Sequence, residues 1–352
     1  MTPTTSSWTT AEPEEAGFAP DLPAKLEAGV QSGLLRHLHG VLVARRDTLV
    51  LERCWDGPDE NWGMPLGQVS FGPETLHDLR SVTKSIVGLL YGIALERDLV
   101  PPPEAPLLPC FPEYPDLAAD PQRMRLTVGH ALTMTLGLEW DEISRPYTDP
   151  ANSEIAMENA RDRYRFVLER PVVAEPGTRW TYCGGAVALI GALIARGTGK
   201  KLPEFAREAL FEPLGISAFE WNAGEDGVPS AASGLRLTPR DLLRIGTVVL
   251  AKGEFGGRQV IPQVWLSKSF QPAAPSFEGL DYGCFWFLGN APAFGEPRQW
   301  MGGFGNGGQR LWVMPDADLA IVVTAGDYNS PDSWVSPTRV WREIVLAHLV
   351  RV

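Results

Sequence analysis

Cysteine is scarce in this chain of 352 residues: Cys54, Cys110, Cys183 and Cys284 lie far apart, with no C-x-x-C pair. That spacing offers neither the paired ligands of a zinc ribbon nor the dense bridges of a small secreted scaffold, so reduced thiols are expected. Long apolar runs are missing too. No stretch of about 18 residues is free of charge and turn residues, as a membrane span would need. Met1–Trp8 is rich in Thr and Ser, without a basic leader or an apolar core, and reads as no secretory signal, so a cytoplasmic location is expected. Positive charge is in deficit, with 31 Lys and Arg against 43 Asp and Glu and a formal net charge of −12. A polyanion such as nucleic acid is therefore an unfavourable partner. No repeat of about 20 to 50 residues signals a solenoid or propeller. What is present is 44% hydrophobic residues, 12 Trp and 31 Pro, enough apolar material for one enzyme-sized globular body.

Both ends of the chain read as β-structure. Val41–Ala44 and Thr48–Leu51 flank a turn at Arg45-Arg46-Asp47. Leu311–Val313 and Ala320–Val323 flank Pro315-Asp316-Ala317-Asp318, and Tyr282–Leu288 offers another aromatic-rich strand. The middle reads as helical over Ser81–Glu96, Thr127–Met134, Ala186–Ala195, Leu202–Leu210 and Pro239–Leu250, with a last helix over Pro337–Leu349. Strands at both ends with helices between them predict an α+β fold. Its antiparallel sheet is completed by both termini, with flanking helices and a helical region inserted.

Chemistry concentrates at Ser81-Val82-Thr83-Lys84. The run Ser85–Leu95 contains no charge, so this helix is apolar nearly all round and is predicted to be buried. Residues three apart share a helix face, which brings the Lys84 amine to the Ser81 hydroxyl. Burial disfavours an ammonium ion, so Lys84 is expected to have a lowered pKa and to act as the base for a nucleophilic Ser81. The simpler reading of the same tetrapeptide is a serine capping a helix and a lysine reaching to solvent.

With S-x-x-K in this setting, His77-Asp78-Leu79-Arg80-Ser81-Val82-Thr83-Lys84-Ser85 resembles the nucleophile segment of the β-lactamase-related serine hydrolases. These are class C β-lactamases and penicillin-binding proteins, with esterase and 6-aminohexanoate-oligomer hydrolase relatives. The likeness continues at His130–Leu138, Glu175–Tyr182 and Gly234–Leu242. It implies a serine β-lactamase/DD-peptidase-like fold, with residues 1–16 an N-terminal extension and 17–352 a single catalytic domain. Within that domain, 17–80 and 251–352 form the sheet lobe and 81–250 a mostly helical lobe. The resemblance also implies two-step acyl transfer without metal or organic cofactor, on a small-molecule ester or amide.

Two family motifs are altered. The Y-x-N motif stands as Tyr182-Cys183-Gly184, which implies Tyr182 as proton shuttle and puts Cys183 and Gly184 beside the substrate without the family's asparagine. The K-T-G or H-x-G motif is matched to Asn306-Gly307-Gly308, and the backbone N–H groups of Ser81 and Gln309 are then implied to form the oxyanion hole. Asn306 supplies no cation for a substrate carboxylate, which favours neutral esters or amides over true β-lactams. Arg310 would point to the opposite face of the strand from Gln309. Cys183 sits next to the site, but nothing nearby activates its thiol.

Other residues are read more plainly. His37 and His39 share a face but lack a third ligand, so no metal site is expected. His130 is read as a hydrogen-bonded core histidine, and Trp140, Trp286, Trp300 and Trp312 as core or as cleft lining. A catalytically idle ligand- or partner-binding protein on the same fold is the rival reading, against which stands the joint presence of Ser81, Lys84 and Tyr182.

Overall fold

Eight strands drawn from the two ends of the chain form one antiparallel sheet. In the computed structural model, which describes residues 8–350, they are β1 (Leu38–Arg45), β2 (Thr48–Cys54), β3 (Ala274–Pro275), β4 (Asp281–Tyr282), β5 (Phe287–Ala293), β6 (Glu296–Gly305), β7 (Gln309–Met314) and β8 (Leu319–Ala325). Their spatial order is β3-β4-β5-β6-β7-β8-β1-β2, so the first hairpin docks against the last strand, with Val43 opposite Ile321. Met1–Ser7, within the expected extension, lie outside the described residues, and Thr10 makes a bridge to Leu49.

The hairpin turn is tighter than expected. Arg45 belongs to β1, and only Arg46 and Asp47 turn the chain, with φ of 50° and 61°. Two successive left-handed residues give the turn whose twist matches the flanking strands. The buried Arg45 guanidinium donates to the carbonyls of Ala16, Gly17 and Ala317, which explains a cation at a strand end. The expected strand over Tyr282–Leu288 is broken, because Phe285 takes a φ of 63° and its N–H donates to Leu132 O. That break separates β4 from β5.

Three long helices lie between the two halves of the sheet in sequence: α1 (Val82–Glu96), α2 (Gly184–Thr198) and α3 (Pro239–Leu250). All of Val82–Ala94 in α1 is buried, as its uncharged sequence demands. It packs against α2 and β6, while α3 covers β1, β7 and β8. The helix expected at Thr127–Met134 is only Val128–Leu132. Thr127 Oγ1 caps it by accepting from His130 N, His130 Nδ1 accepts from Thr127 N, and Met134 turns left-handed just beyond it. Helical structure from Leu202 relaxes into a wider π turn over Arg207–Phe211, and the closing segment does the same after Val335–Arg339. Short helices at Leu22–Gln31, Ser153–Glu158, Arg163–Leu168 and Gln263–Ser269 escape the periodicity reading.

Candidate active site

Ser81 stands where a short strand, His77–Asp78, runs into α1. The residue before it, Arg80, is held at a φ of 46°, a strained conformation for a side chain of this size. Asp78 stabilises that bend, its carboxylate accepting from Arg80 N at 3.0 Å and from Trp62 N at 2.7 Å. Arg80 in turn donates to Glu60 at 2.9 Å. One helical turn on, Lys84 Nζ donates to Ser81 Oγ at 2.9 Å and to Ala232 O at 3.1 Å. Tyr182, just ahead of α2, lines the same cavity as Ser81, and Lys84 Nζ lies 4.9 Å from the centre of its ring. The fold thus brings Tyr182, about a hundred residues further along the chain, to Ser81 and Lys84.

The electrostatics of Lys84 differ from expectation. Burial alone pulls its pKa down, but Glu154, Tyr182 and Glu142 outweigh burial and push it up, so the resting amine is an ammonium. Glu154 Oε2 lies 3.5 Å and Glu142 Oε1 3.6 Å from Nζ. The two carboxyl groups thus share one cation. Burial and then Glu154 drive Glu142 well above the usual carboxylate range; Glu154, although burial opposes it, is held below that range by Lys84. The opposite directions make Glu142 the more readily protonated of the pair. Glu142 Oε2 also accepts from Gly184 N at 2.6 Å and Trp140 Nε1 at 2.9 Å.

This pair explains Gly184. A Cβ there would lie 2.6 Å from Glu154 Oε2 and 3.2 Å from Glu142 Oε2, so the carboxyl groups occupy the space that an asparagine side chain would need. Neither glutamate is distinguishable in sequence from the solvated acids around it, since each reaches the site from its own loop or short helix.

Ser81 and Tyr182 open into a cavity of about 630 Å³. Its apolar wall includes Phe277, Phe287, Phe304, Trp312 and Trp334, and its polar wall Glu142, Tyr147 and Arg310. β5 begins at Phe287, opposite Gly302, so Gly303–Gly305 extend beyond it and leave an uncovered edge on β6. A Cβ on Gly303 would meet Ser85 Oγ at 2.9 Å, and one on Gly305 would meet Leu79 O at 2.4 Å. Only glycine lets the strand approach the nucleophile segment this closely.

Several expected site residues fall elsewhere. Gln309 is fully buried in β7, on the opposite side of β6 from the uncovered edge. Its amide donates to Ala325 O at 2.6 Å and accepts from Ala325 N at 3.0 Å. The side chain ties the hairpin to β8, and Gln309 is not among the residues that line the cavity. Gly307 and Gly308, at φ of 84° and 98°, make the β6–β7 turn against Tyr328 and Ala325, outside the cavity wall. Asn306 is in the wall, but its side chain is exchanged with Asn329, donating to Oδ1 and accepting from N, both at 2.8 Å. Cys183 caps α2, accepting from Ala186 N at 3.3 Å, and burial pushes its thiol up, so it is inert. It and Gly184 lie behind the wall.

Arg310 was read correctly as facing away from Gln309, yet the face it takes is that of the cavity. Its guanidinium donates to Gly305 O at 3.0 Å and lies 4.8 Å from the Phe304 ring centre; burial brings its pKa down to about 10, which leaves it charged. The cavity therefore has a cation that Asn306 does not supply. Of the four tryptophans, Trp312 lines the cavity, Trp140 supports Glu142, and Trp286 and Trp300 are core.

Among the described residues no helix is long and apolar enough to cross a membrane. Comparison with known proteins extends these observations. The 6-aminohexanoate-dimer hydrolase of Paenarthrobacter ureafaciens is 25% identical over 297 residues, covering 78% of this chain and 70% of that protein. Esterase EstB of Burkholderia gladioli is 28% identical over 209 residues, about half of either protein (56% and 51%). A Bacillus anthracis structure described as a 6-aminohexanoate-dimer hydrolase superposes with a TM-score of 0.74 at 18% identity, covering 96% of this chain and 86% of its own. Those relatives are hydrolases by name, and the solved structure shares the antiparallel sheet with inserted helices. Residues 29–345 match the profile of the Beta-lactamase family, and this α+β chain is a member of it.

Proposed function

We propose that the protein is a serine hydrolase that cleaves a small-molecule ester or amide through an acyl group carried on Ser81. The observation that carries this reading is the 2.9 Å bond from Lys84 Nζ to Ser81 Oγ at the floor of an apolar cavity that Tyr182 also lines, its ring 4.9 Å from the Lys84 amine. The names of the two relatives, one an esterase and one a hydrolase of an aminohexanoate dimer, support ester and amide substrates. The aromatic wall suits an apolar acyl or leaving group.

The chain's own groups suffice for the proton traffic. To act as base Lys84 passes one proton to Glu154, 3.5 Å away, against the resting preference of the pair; substrate filling the cavity lowers that cost, because a neutral pair needs less solvation than an ion pair. The free amine then takes the Ser81 proton as Oγ attacks the carbonyl. Tyr182 gives its proton to the leaving oxygen or nitrogen and is reprotonated by Lys84. Water follows the same route in reverse to release the acid and restore Ser81. The N-terminus of α1 supports the negative charge that develops on the carbonyl oxygen.

A fluorophosphonate probe with peptide mapping tests the assignment. Label is expected on Ser81, and none in Ser81→Ala or Lys84→Ala. Label confined to another residue of the folded protein, or its absence, overturns the reading. Initial rates on 4-nitrophenyl esters, nitrocefin and a linear aminohexanoate dimer then rank the substrates, with nitrocefin expected to be the slowest.

A further inference from the structure

Outside the cavity, three buried side chains from separate elements meet: His39 on β1, Asp59 on the hairpin Gly57–Val69, and His77 on the strand leading into Ser81. Their ligand atoms all lie within 4.8 Å of one another. His37, the neighbour that sequence pairs with His39, is not part of this group.

The hydrogen bonds leave the cluster short of protons. His77 Nδ1 lies 3.0 Å from Asp78 O, and a carbonyl accepts only, so that nitrogen carries the ring's proton and Nε2 presents a lone pair. His39 Nδ1, 2.9 Å from His77 Nε2, must then be a donor. Its Nε2 becomes a bare acceptor, buried and without a partner. Asp59 Oδ1 accepts from the Tyr328 hydroxyl at 2.8 Å and faces the His77 lone pair at 3.8 Å, while Oδ2 has no partner. Burying unmet acceptors costs about 1–3 kcal/mol each.

We infer that His39, Asp59 and His77 form a structural site for one divalent first-row transition-metal ion, bound by the two imidazoles and the carboxylate. The donor set is that of zinc and its neighbours. A zinc ion would set its two imidazole nitrogens about 3.3 Å apart, so the rings need to part by only a few tenths of an ångström from their hydrogen-bonded spacing. Binding would shift the His39 proton from Nδ1 to Nε2, and two of the three ligands already have outer contacts. His77 Nδ1–H on a backbone carbonyl and the Tyr328 hydroxyl on Asp59 are the kind that orient metal ligands. A side chain on Gly57 would come within 2.5 Å of His39 Nε2, and one on Gly326 within 2.5 Å of His39 Cε1, so two glycines leave room for this ring. The bound ion would join β1 and the 57–69 hairpin to the segment whose Asp78 holds the Arg80 bend. The site is independent of the reaction that Ser81 performs.

The test uses the untagged full chain, expressed with added zinc and purified without chelator. Elemental analysis and native mass are expected to show about one first-row metal ion per chain. Loading with cobalt(II) should give the visible bands of an ion with nitrogen ligands. His39→Gln and Asp59→Asn should each lower the content at least tenfold, whereas His130→Gln, remote from the cluster, should retain it. Fewer than about 0.1 ions per chain in folded wild-type protein overturns the inference, as does full retention in folded His39→Gln. Should a cluster variant fail to fold, the wild-type content and the cobalt spectrum decide alone.

Discussion

Lys84 Nζ lies 3.5 Å from Glu154 Oε2, both side chains buried, and this carboxylate leads the three neighbours, with Tyr182 and Glu142, that together outweigh burial and keep the lysine charged. Glu154→Gln removes the largest influence that keeps the amine protonated and leaves desolvation to act. The acid limb of the kcat/KM profile for a 4-nitrophenyl ester should move to lower pH by about one unit or more. A purely structural effect would instead lower the rate by one factor at every pH.

Glu142, whose carboxyl group burial and Glu154 push toward the protonated form, should tolerate a neutral replacement. Its folded-state pKa is raised, so the native chain keeps a proton there that the unfolded chain releases above about pH 4.3. The stability from this group is full below that pH and drains as pH rises toward the folded-state value. Glu142→Gln mimics the protonated form, since its carbonyl can still accept from Gly184 N and Trp140 Nε1. Thermal melts between pH 5 and 9 should show a flatter decline than wild type, with stability at pH 5 within about 1 kcal/mol.

Gly184→Asn restores the family's third motif residue and should be harmful here. The new Cβ would fall 2.6 Å from Glu154 Oε2, and overpacking of this kind costs about 1–3 kcal/mol. Denaturant titration should show that loss. Combining it with Glu154→Ala should recover part of the packing loss, giving a coupling of at least about 0.5 kcal/mol.

Arg310→Met tests whether the cavity cation reads substrate charge. For a nitrophenyl hemisuccinate, whose free carboxylate can reach the guanidinium, KM should rise about tenfold, the equivalent of about 1.4 kcal/mol. For the neutral butyrate ester it should change less than threefold. Equal losses on both esters would assign Arg310 to holding the β6–β7 hairpin alone.

Local rules carried much of this protein. The spacing of Ser81 and Lys84 fixes them on one helix face whatever surrounds them, and the uncharged run behind them compels burial of α1. Alternating apolar residues at both ends determined that strands there would share a sheet, and the same alternation put Gln309 and Arg310 on opposite faces. Which face would meet the cavity is a property of how the sheet packs against α1, and it is the Arg310 side chain that lines it. The Tyr282–Leu288 strand failed for a related reason: Phe285 is drawn out of β geometry by a bond to Leu132 O, more than a hundred residues away.

Glu142, Glu154 and the His39–Asp59–His77 cluster were illegible because each residue, taken alone, is an ordinary polar side chain in a loop, strand or short helix. Their significance arises only when separate elements bring them together out of water, where an ion pair or an unmet lone pair carries a cost that solvent would have removed. Sequence by itself determined that the Ser81 hydroxyl and the Lys84 amine share one helix face, and the kind of scaffold that carries them. Tertiary structure decided the charge on that amine and the cation in the cavity, because both depend on distances between residues that no local rule brings together.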